Sequence, residues 1–245
     1  MGNPLEKILE VIDFEMFRSL LETQMPNHHK KNHAGAKAFD VVMMFKILIL
    51  PRYYGLGDSQ IEYQILDRIS FKSFLGLSSG DKVPDEKAVW AFRESLTNKG
   101  VMEKLFAAFT DFLESNGFLM SEGKIIDAGF TVASLQRNIR EENKQIRAGH
   151  GDELWKDKPS RKRRKDMDAR WTKKNGERFY GYKDHAKADA RSKLVETHVV
   201  TNASVHDSQP LDDLLTDGDK KRNLYADSAC SGEKQENVIK KTSDE

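Results

Sequence analysis

Lys124-Ile125-Ile126-Asp127-Ala128-Gly129-Phe130-Thr131-Val132 is where this 245-residue chain changes its period. The β-branched and aromatic residues suit a half-buried pleated surface, so the stretch reads as a strand. The residues before it read as helix, and much of the chain after it reads as extended. The spacing therefore predicts a helical domain over 1–122 and an α/β domain with a mixed sheet over 123–245.

Working back towards the N-terminus, Leu5, Ile8, Leu9, Ile12, Phe17, Leu20 and Leu21 recur at helical spacing, and Pro26 with its polar neighbours ends the segment. Phe39 to Leu50 is apolar nearly all round, which predicts a central, buried helix stopped near Pro51. Gly55, Gly57 and Asp58 supply a turn and a cap for a helix carrying Ile61, Ile65, Leu66 and Ile69. Val83-Pro84-Asp85 caps another, with Val89, Trp90, Phe92 and Leu96. Val101 to Phe112 gives one more, closed by Asn116-Gly117. Such a set suits a small bundle with room for a helix-turn-helix, although packing patterns alone say nothing about a ligand.

Working forward, residues 177–189 and 193–201 read as a hairpin around Asp189-Ala190-Arg191-Ser192. His206-Asp207-Ser208 reads as the entry to a short helix through Leu215, with Asp207 as its cap. Asn223-Leu224-Tyr225-Ala226-Asp227 is a fourth strand, and Gly232 precedes the start of a further helix. Between the first strand and the hairpin, residues 136–176 form a long polar insertion. Connections of that length are usually functional or disordered.

Composition narrows the function classes. Charged residues make up 32% and aromatics 9%, as in a soluble globular protein. The most apolar run is too short to cross a bilayer and contains Lys46, and early Glu6, Glu10 and Asp13 do not fit a secretory signal. Cys230 is the lone cysteine, so no internal disulfide forms and a reducing cytoplasm is the expected setting. His28, His29 and His33 lack partner spacing for a metal and read as loop residues.

Charge is unevenly spread. Residues 1–123 carry 14 Lys and Arg against 17 Asp and Glu, residues 124–193 carry 20 against 11, and residues 194–245 carry 6 against 11. The positive block suggests an anionic partner, nucleic acid first, with a solvated loop as the other reading. Its centre is Arg161-Lys162-Arg163-Arg164-Lys165, between Trp155 and Trp171. The cations could neutralise phosphates and a ring could stack on an unpaired base, or the tryptophans could pack the loop onto the sheet. Lys183 and His185 share one strand face, which reads more readily as a solvated hairpin face than as a DNA or metal contact.

Asp127 and Asp227 each stand within or at the end of an apolar run. A carboxylate there needs a partner, and two can share a divalent cation such as Mg2+ or Mn2+. Each alone could equally cap a turn.

Five ordered blocks decide between these readings: Lys124 to Ala128, Asp168 to Lys174, Tyr180-Gly181-Tyr182-Lys183-Asp184-His185, Val205 to Gln209, and Leu224 to Ala229. They resemble DDE transposases of bacterial insertion sequences, and more closely the insertion-sequence-five group. Ile61 to Phe71, Phe74 to Gly76, Val83 to Glu86 and Phe92-Arg93 resemble that group's helical N-terminal domain. The resemblance implies a ribonuclease-H-like domain whose first and fourth strands lie side by side, bringing Asp127 and Asp227 together. It implies double-stranded DNA as partner, both terminal inverted repeats and target, with a homo-oligomer on DNA and a cytoplasmic, nucleoid-associated setting. DNA contacts are expected from Arg161, Lys162, Arg163, Arg164 and Lys165, and from Lys173, Lys174 and Lys183.

The family's third carboxylate is a glutamate on a later helix. Glu233 and Glu236 come too soon after Asp227, only 18 residues follow it, and Cys230 and Ser231 stand where relatives tend to carry an aromatic and a basic residue. The expectation is a catalytic domain incomplete at its C-terminus and poorly soluble alone. The alternatives are an inactive DNA-binding remnant or repressor at transposon ends, or a nuclease unrelated to transposition.

Overall fold

The structure, a computed structural model, describes residues 2–24, 38–120, 122–174, 176–219 and 222–226. Pro26, His28, His29, His33, Asp227, Cys230, Ser231, Gly232, Glu233 and Glu236 lie outside the described residues. Two compact units are found, Met1–Phe112 and Leu113–Glu245.

In the first unit, Asp40 sets the central helix. Its carboxylate accepts from the Val42 and Met43 amides at 3.0 and 2.9 Å, satisfying donors that a helix start leaves open. Helix α3 (Val41–Tyr54) follows, with Val41, Val42, Met43, Met44, Ile47 and Leu50 buried, as its all-round apolar sequence requires. Full burial of a side chain such as Ile47 or Leu50 contributes about 1.5–3 kcal/mol. The helix does not stop at Pro51. That ring is buried, and the bond it forgoes to the carbonyl four residues back does not end the helix. The stop comes at Gly55, in the left-handed region at φ 64°, whose N–H returns to the Pro51 carbonyl.

Around it pack α1 (Pro4–Val11), α2 (Arg18–Gln24), α4 (Asp58–Asp67), α5 (Ile69–Leu75) and α6 (Glu86–Asn98). The first apolar segment is broken rather than continuous, because Asp13 caps a separate 3-10 turn at Phe14–Phe17. Asp58 does not cap α4. Gly57 holds that position, with its N–H donating to Gln60 Oε1, and Asp58 takes a two-pronged bond from Arg93 at 2.7 Å each. Ile61 and Ile65 are buried, but Leu66 and Ile69 are exposed, since the chain breaks at Arg68 and α5 restarts the helical phase. Asp85 caps α6 through the Ala88 amide, as its sequence predicts.

The division between units falls inside α7 (Val101–Ser115), ahead of the change of period at 123. The second unit is built on a mixed five-stranded sheet. Strand β1 (Gly123–Val132) runs antiparallel to β3 (Glu177–Asp189) and parallel to β5 (Asn223–Ala226). On its other side β3 pairs with β4 (Val195–Asn202) and β2 (Arg170–Lys174), both antiparallel. The hairpin turn forms where expected. Asp189 accepts from the Arg191 and Ser192 amides and the Ser192 hydroxyl.

The long polar connection read over 136–176 contains α8 (Arg140–Arg147), α9 (Pro159–Lys162) and β2. Strand β2 escapes sequence reasoning because it is an edge strand of mostly charged residues, which needs no apolar alternation. One expectation fails in this unit: Asp207 is not a helix cap. Helix α10 (Leu211–Leu214) starts only after Pro210, and Leu211 and Leu214 close over Ile126 as a small second core.

Candidate active site

Period-two alternation divides the second unit's chemistry between two faces of the sheet. Ile126 is buried against Leu211 and Leu214, so the next residue, Asp127, points to the opposite side and is exposed. Its Oδ1 accepts from the Ala128 amide at 2.7 Å. No ion pair among the described residues occupies it. An open depression beside it is lined by Ile125, Asp127, Lys193, Tyr225 and Ala226. Neither Lys193 nor Tyr225 stands out in the sequence as a site residue. Lys193 reaches this place because it takes the left-handed conformation, φ 62°, in the hairpin turn, which no pattern in the sequence signals.

The opposite side carries a buried polar row. Lys124, Lys183, His185, Lys187 and Asp189 are each 7 % exposed or less. They share a face because β1 and β3 pair Lys124 with Asp189, Ile126 with Lys187, Ala128 with His185 and Phe130 with Lys183. Lys183 donates to the Val205 carbonyl at 2.6 Å and to Asp207 at 2.7 Å. Lys187 donates to Asp219 at 2.5 Å, and Lys124 pairs with Glu196. His185 meets the Thr201 hydroxyl at 2.9 Å.

The solvated hairpin face read from the sequence is therefore a buried, fully engaged one. Lys183, expected to touch DNA, has its amine held inside the unit, and neither it nor His185 lies on the face of Asp127. Burial would push the Asp207 carboxyl up, but the hydrogen bond and charge of Lys183 hold it below the usual carboxylate range. Burial likewise pushes the His185 imidazole down, towards its neutral form.

The basic insertion divides in the same way. Trp155 packs inward, with its indole N–H on Glu142 at 3.1 Å and Arg161 and Lys165 over its ring. Arg161 pairs with Glu142 at 2.9 Å, Lys162 with Asp152 at 3.1 Å, and Lys165 donates to the Arg137 carbonyl and Asn138. Of the two sequence readings, the packing one holds for Trp155. Even so, Arg137, Arg161, Arg163, Arg164 and Lys165 line one open depression, a concentration of positive charge suited to phosphate. Lys173 and Lys174 stand on β2 at the edge of the sheet, both exposed.

A divalent cation would require oxygen donors on the Asp127 face. Asp127 fits as one such donor, since it is exposed and unpaired with any described cation. Among the described residues no three His, Cys, Asp or Glu side chains gather around a common point. No helix among them is long and apolar enough to cross a membrane.

Comparison with known families gives two matches in chain order. Residues 1–95 match the model described as Transposase domain (DUF772), which covers most of the helical unit. Residues 155–242 match the model described as Transposase DDE domain, spanning the basic segment, β2 to β5 and Asp227, with Asp127 upstream of the matched span. No solved structure matches the chain. With two transposase models in sequence, a helical N-terminal region and a mixed sheet behind it, the chain belongs to the DDE transposases of insertion sequences.

Proposed function

We propose that this chain carries out metal-dependent cleavage and strand transfer at the ends of an insertion sequence of the insertion-sequence-five group. The supporting observation is the parallel pairing of β1 and β5, in which Ile126 stands opposite Ala226. Asp127 and Asp227 are the next residues in sequence after this pair. They would hold Mg2+ or Mn2+, and the cation would polarise the scissile phosphate and lower the pKa of the attacking hydroxyl.

The residues of the chain divide the remaining work. Arg163 and Arg164, with Arg161 beside them, contact phosphates of the DNA and fix its register without reading sequence. Lys193, on the rim of the Asp127 depression, offers a cation to a phosphate held there. The helical unit binds the terminal inverted repeat. Water attacks the phosphorus at the transposon end, the bond to the 3′ oxygen breaks, and the freed 3′ hydroxyl then displaces a target-strand oxygen in line.

The test is cleavage of a labelled duplex bearing the terminal repeat, in Mg2+, by wild type and Asp127→Asn. The variant is expected to cleave about a thousandfold more slowly, the worth of several kcal/mol of lost charge stabilisation. A variant as fast as wild type would refute the role of Asp127. Specific binding of the repeat without cleavage by wild type would favour an inactive end-binding protein instead.

A further inference from the structure

The two tryptophans flanking the basic run have different fates. Trp155 is consumed within the insertion, but Trp171 on β2 is 52 % exposed. The register of β2 with β3 pairs Trp171 with Tyr180 and Lys173 with Arg178, so these four share one face of the ribbon. The other face is turned inward, with Phe179 stacked on Phe130 at 4.5 Å and Lys174 over the same ring. The outward face thus presents an aromatic pair, ring centroids 5.3 Å apart, followed by two cations side by side.

Like charges directly opposite in a sheet destabilise it. Among the described residues, Lys173 and Arg178 have no acidic partner, and Arg147 of α8 adds a third cation to the depression they line with Trp171. Folding gains nothing from this arrangement, whereas a polyanion would. Beside it opens a second cavity lined by Gln136, Asn138, Asn143, Arg147, Trp171 and Tyr180. The Oε1 atom of Gln136 is buried without a hydrogen-bond partner among the described residues. Duplex DNA hides its base faces, but an unpaired base offers both a π-face for Trp171 and amino groups for an amide oxygen.

We infer that the outward face of the β2–β3 ribbon, Trp171, Lys173, Tyr180 and Arg178 with Arg147, binds a single-stranded stretch of DNA. The cations hold its phosphates and Trp171 stacks on a base. This rests on the transposase reading for the identity of the polyanion, but not on the carboxylates.

The experiment is an anisotropy titration of the full chain against a fluorescein-labelled single-stranded oligonucleotide and against the same sequence as a duplex, over a range of salt. For Lys173→Gln/Arg178→Gln, the slope of log affinity against log salt for the single strand should fall by about 1.4. Affinity near 0.1 M salt should drop roughly 25-fold. Trp171→Ala should weaken single-strand binding at least about fivefold while leaving duplex binding unchanged, and Trp171→Phe should restore most of it. The titration is run in EDTA, without a divalent cation, so its outcome stands apart from the metal site. An unchanged salt slope, equal losses for duplex and single strand in Trp171→Ala, or no DNA binding by wild type would each overturn it.

Discussion

Gly181→Ala should leave the second unit unable to form its sheet. Gly181 sits in β3 at φ 149°, and a Cβ built on it would lie 2.1 Å from the Thr131 carbonyl oxygen and 2.7 Å from the Ala133 amide nitrogen. Both are backbone atoms of the chain alongside, where Ala133 donates to the Tyr180 carbonyl, so no side-chain rotation relieves the clash. On the other side the Gly181 carbonyl accepts from Ala203. The glycine is thus held among backbone partners at residues 131–133 and 203, with no room for a side chain. The substitution is expected to cost at least about 4 kcal/mol, against a typical total of about 5–15. Loss of a cooperative urea transition for the second unit, followed by circular dichroism, would bear this out. A midpoint like that of wild type would contradict the geometry.

The second large effect is expected at Lys187. Its side chain is 1 % exposed and holds Asp219 at 2.5 Å, with Thr216 Oγ1 at 3.3 Å and Glu196 at 4.0 Å. Lys187→Met keeps the packing but leaves the Asp219 carboxylate, itself 6 % exposed, buried without its counter-charge. Removing one member of such a pair costs about 3–5 kcal/mol, whereas replacing both by apolar groups is often neutral. Lys187→Met/Asp219→Leu should therefore recover much of the stability lost in the single variant. If the double variant is no better, the buried charge is not the cause.

The same pair sets an acid limb. Burial would raise the Asp219 carboxyl, but its bonds from Lys187 and Thr216 hold it below its ordinary value. A depressed folded value means that the stabilisation is complete above the unfolded pKa, about 4, and is lost as pH falls through the folded one. In Lys187→Met burial is left to raise this carboxyl, so that limb should shrink or reverse, and the variant's deficit against wild type, read from urea midpoints, should be largest above about pH 4 and narrow below it. Asp219 precedes β5 by four residues, so loss of the pair is expected to reach the strand on which the proposed site depends.

Much of this fold can be read from residue patterns. Asp40, Asp85 and Asp189 behave as short polar residues do at caps and turns, and the all-round apolar Val41–Leu50 run is buried. The misreadings share one cause, which is that tertiary partners override local pattern. Pro51 looks like a stop but is carried inside a buried helix. Asp58 and Asp207 look like caps, yet each is taken by a distant cation, Arg93 and Lys183. Lys183 and His185 look solvated because nothing local shows that residues 203–219 fold over them.

The candidate site was legible to a different degree. Asp127 and the run Arg161–Lys165 stand out by composition. Lys193, Arg178 and Arg147 do not, because register and a left-handed turn bring them to their places, and neither leaves a trace in spacing.

The proposed chemistry depends above all on Asp127 and Asp227 sharing a cation. Binding of Mn2+ to the full chain in the presence of DNA, followed by electron paramagnetic resonance and competed with Mg2+, tests it most directly. The prediction is a site that Mg2+ displaces and that Asp127→Asn and Asp227→Asn each weaken at least about tenfold, since even residues behind a metal's ligands change affinity by that much. Equal Mn2+ affinity in wild type and both variants would contradict it.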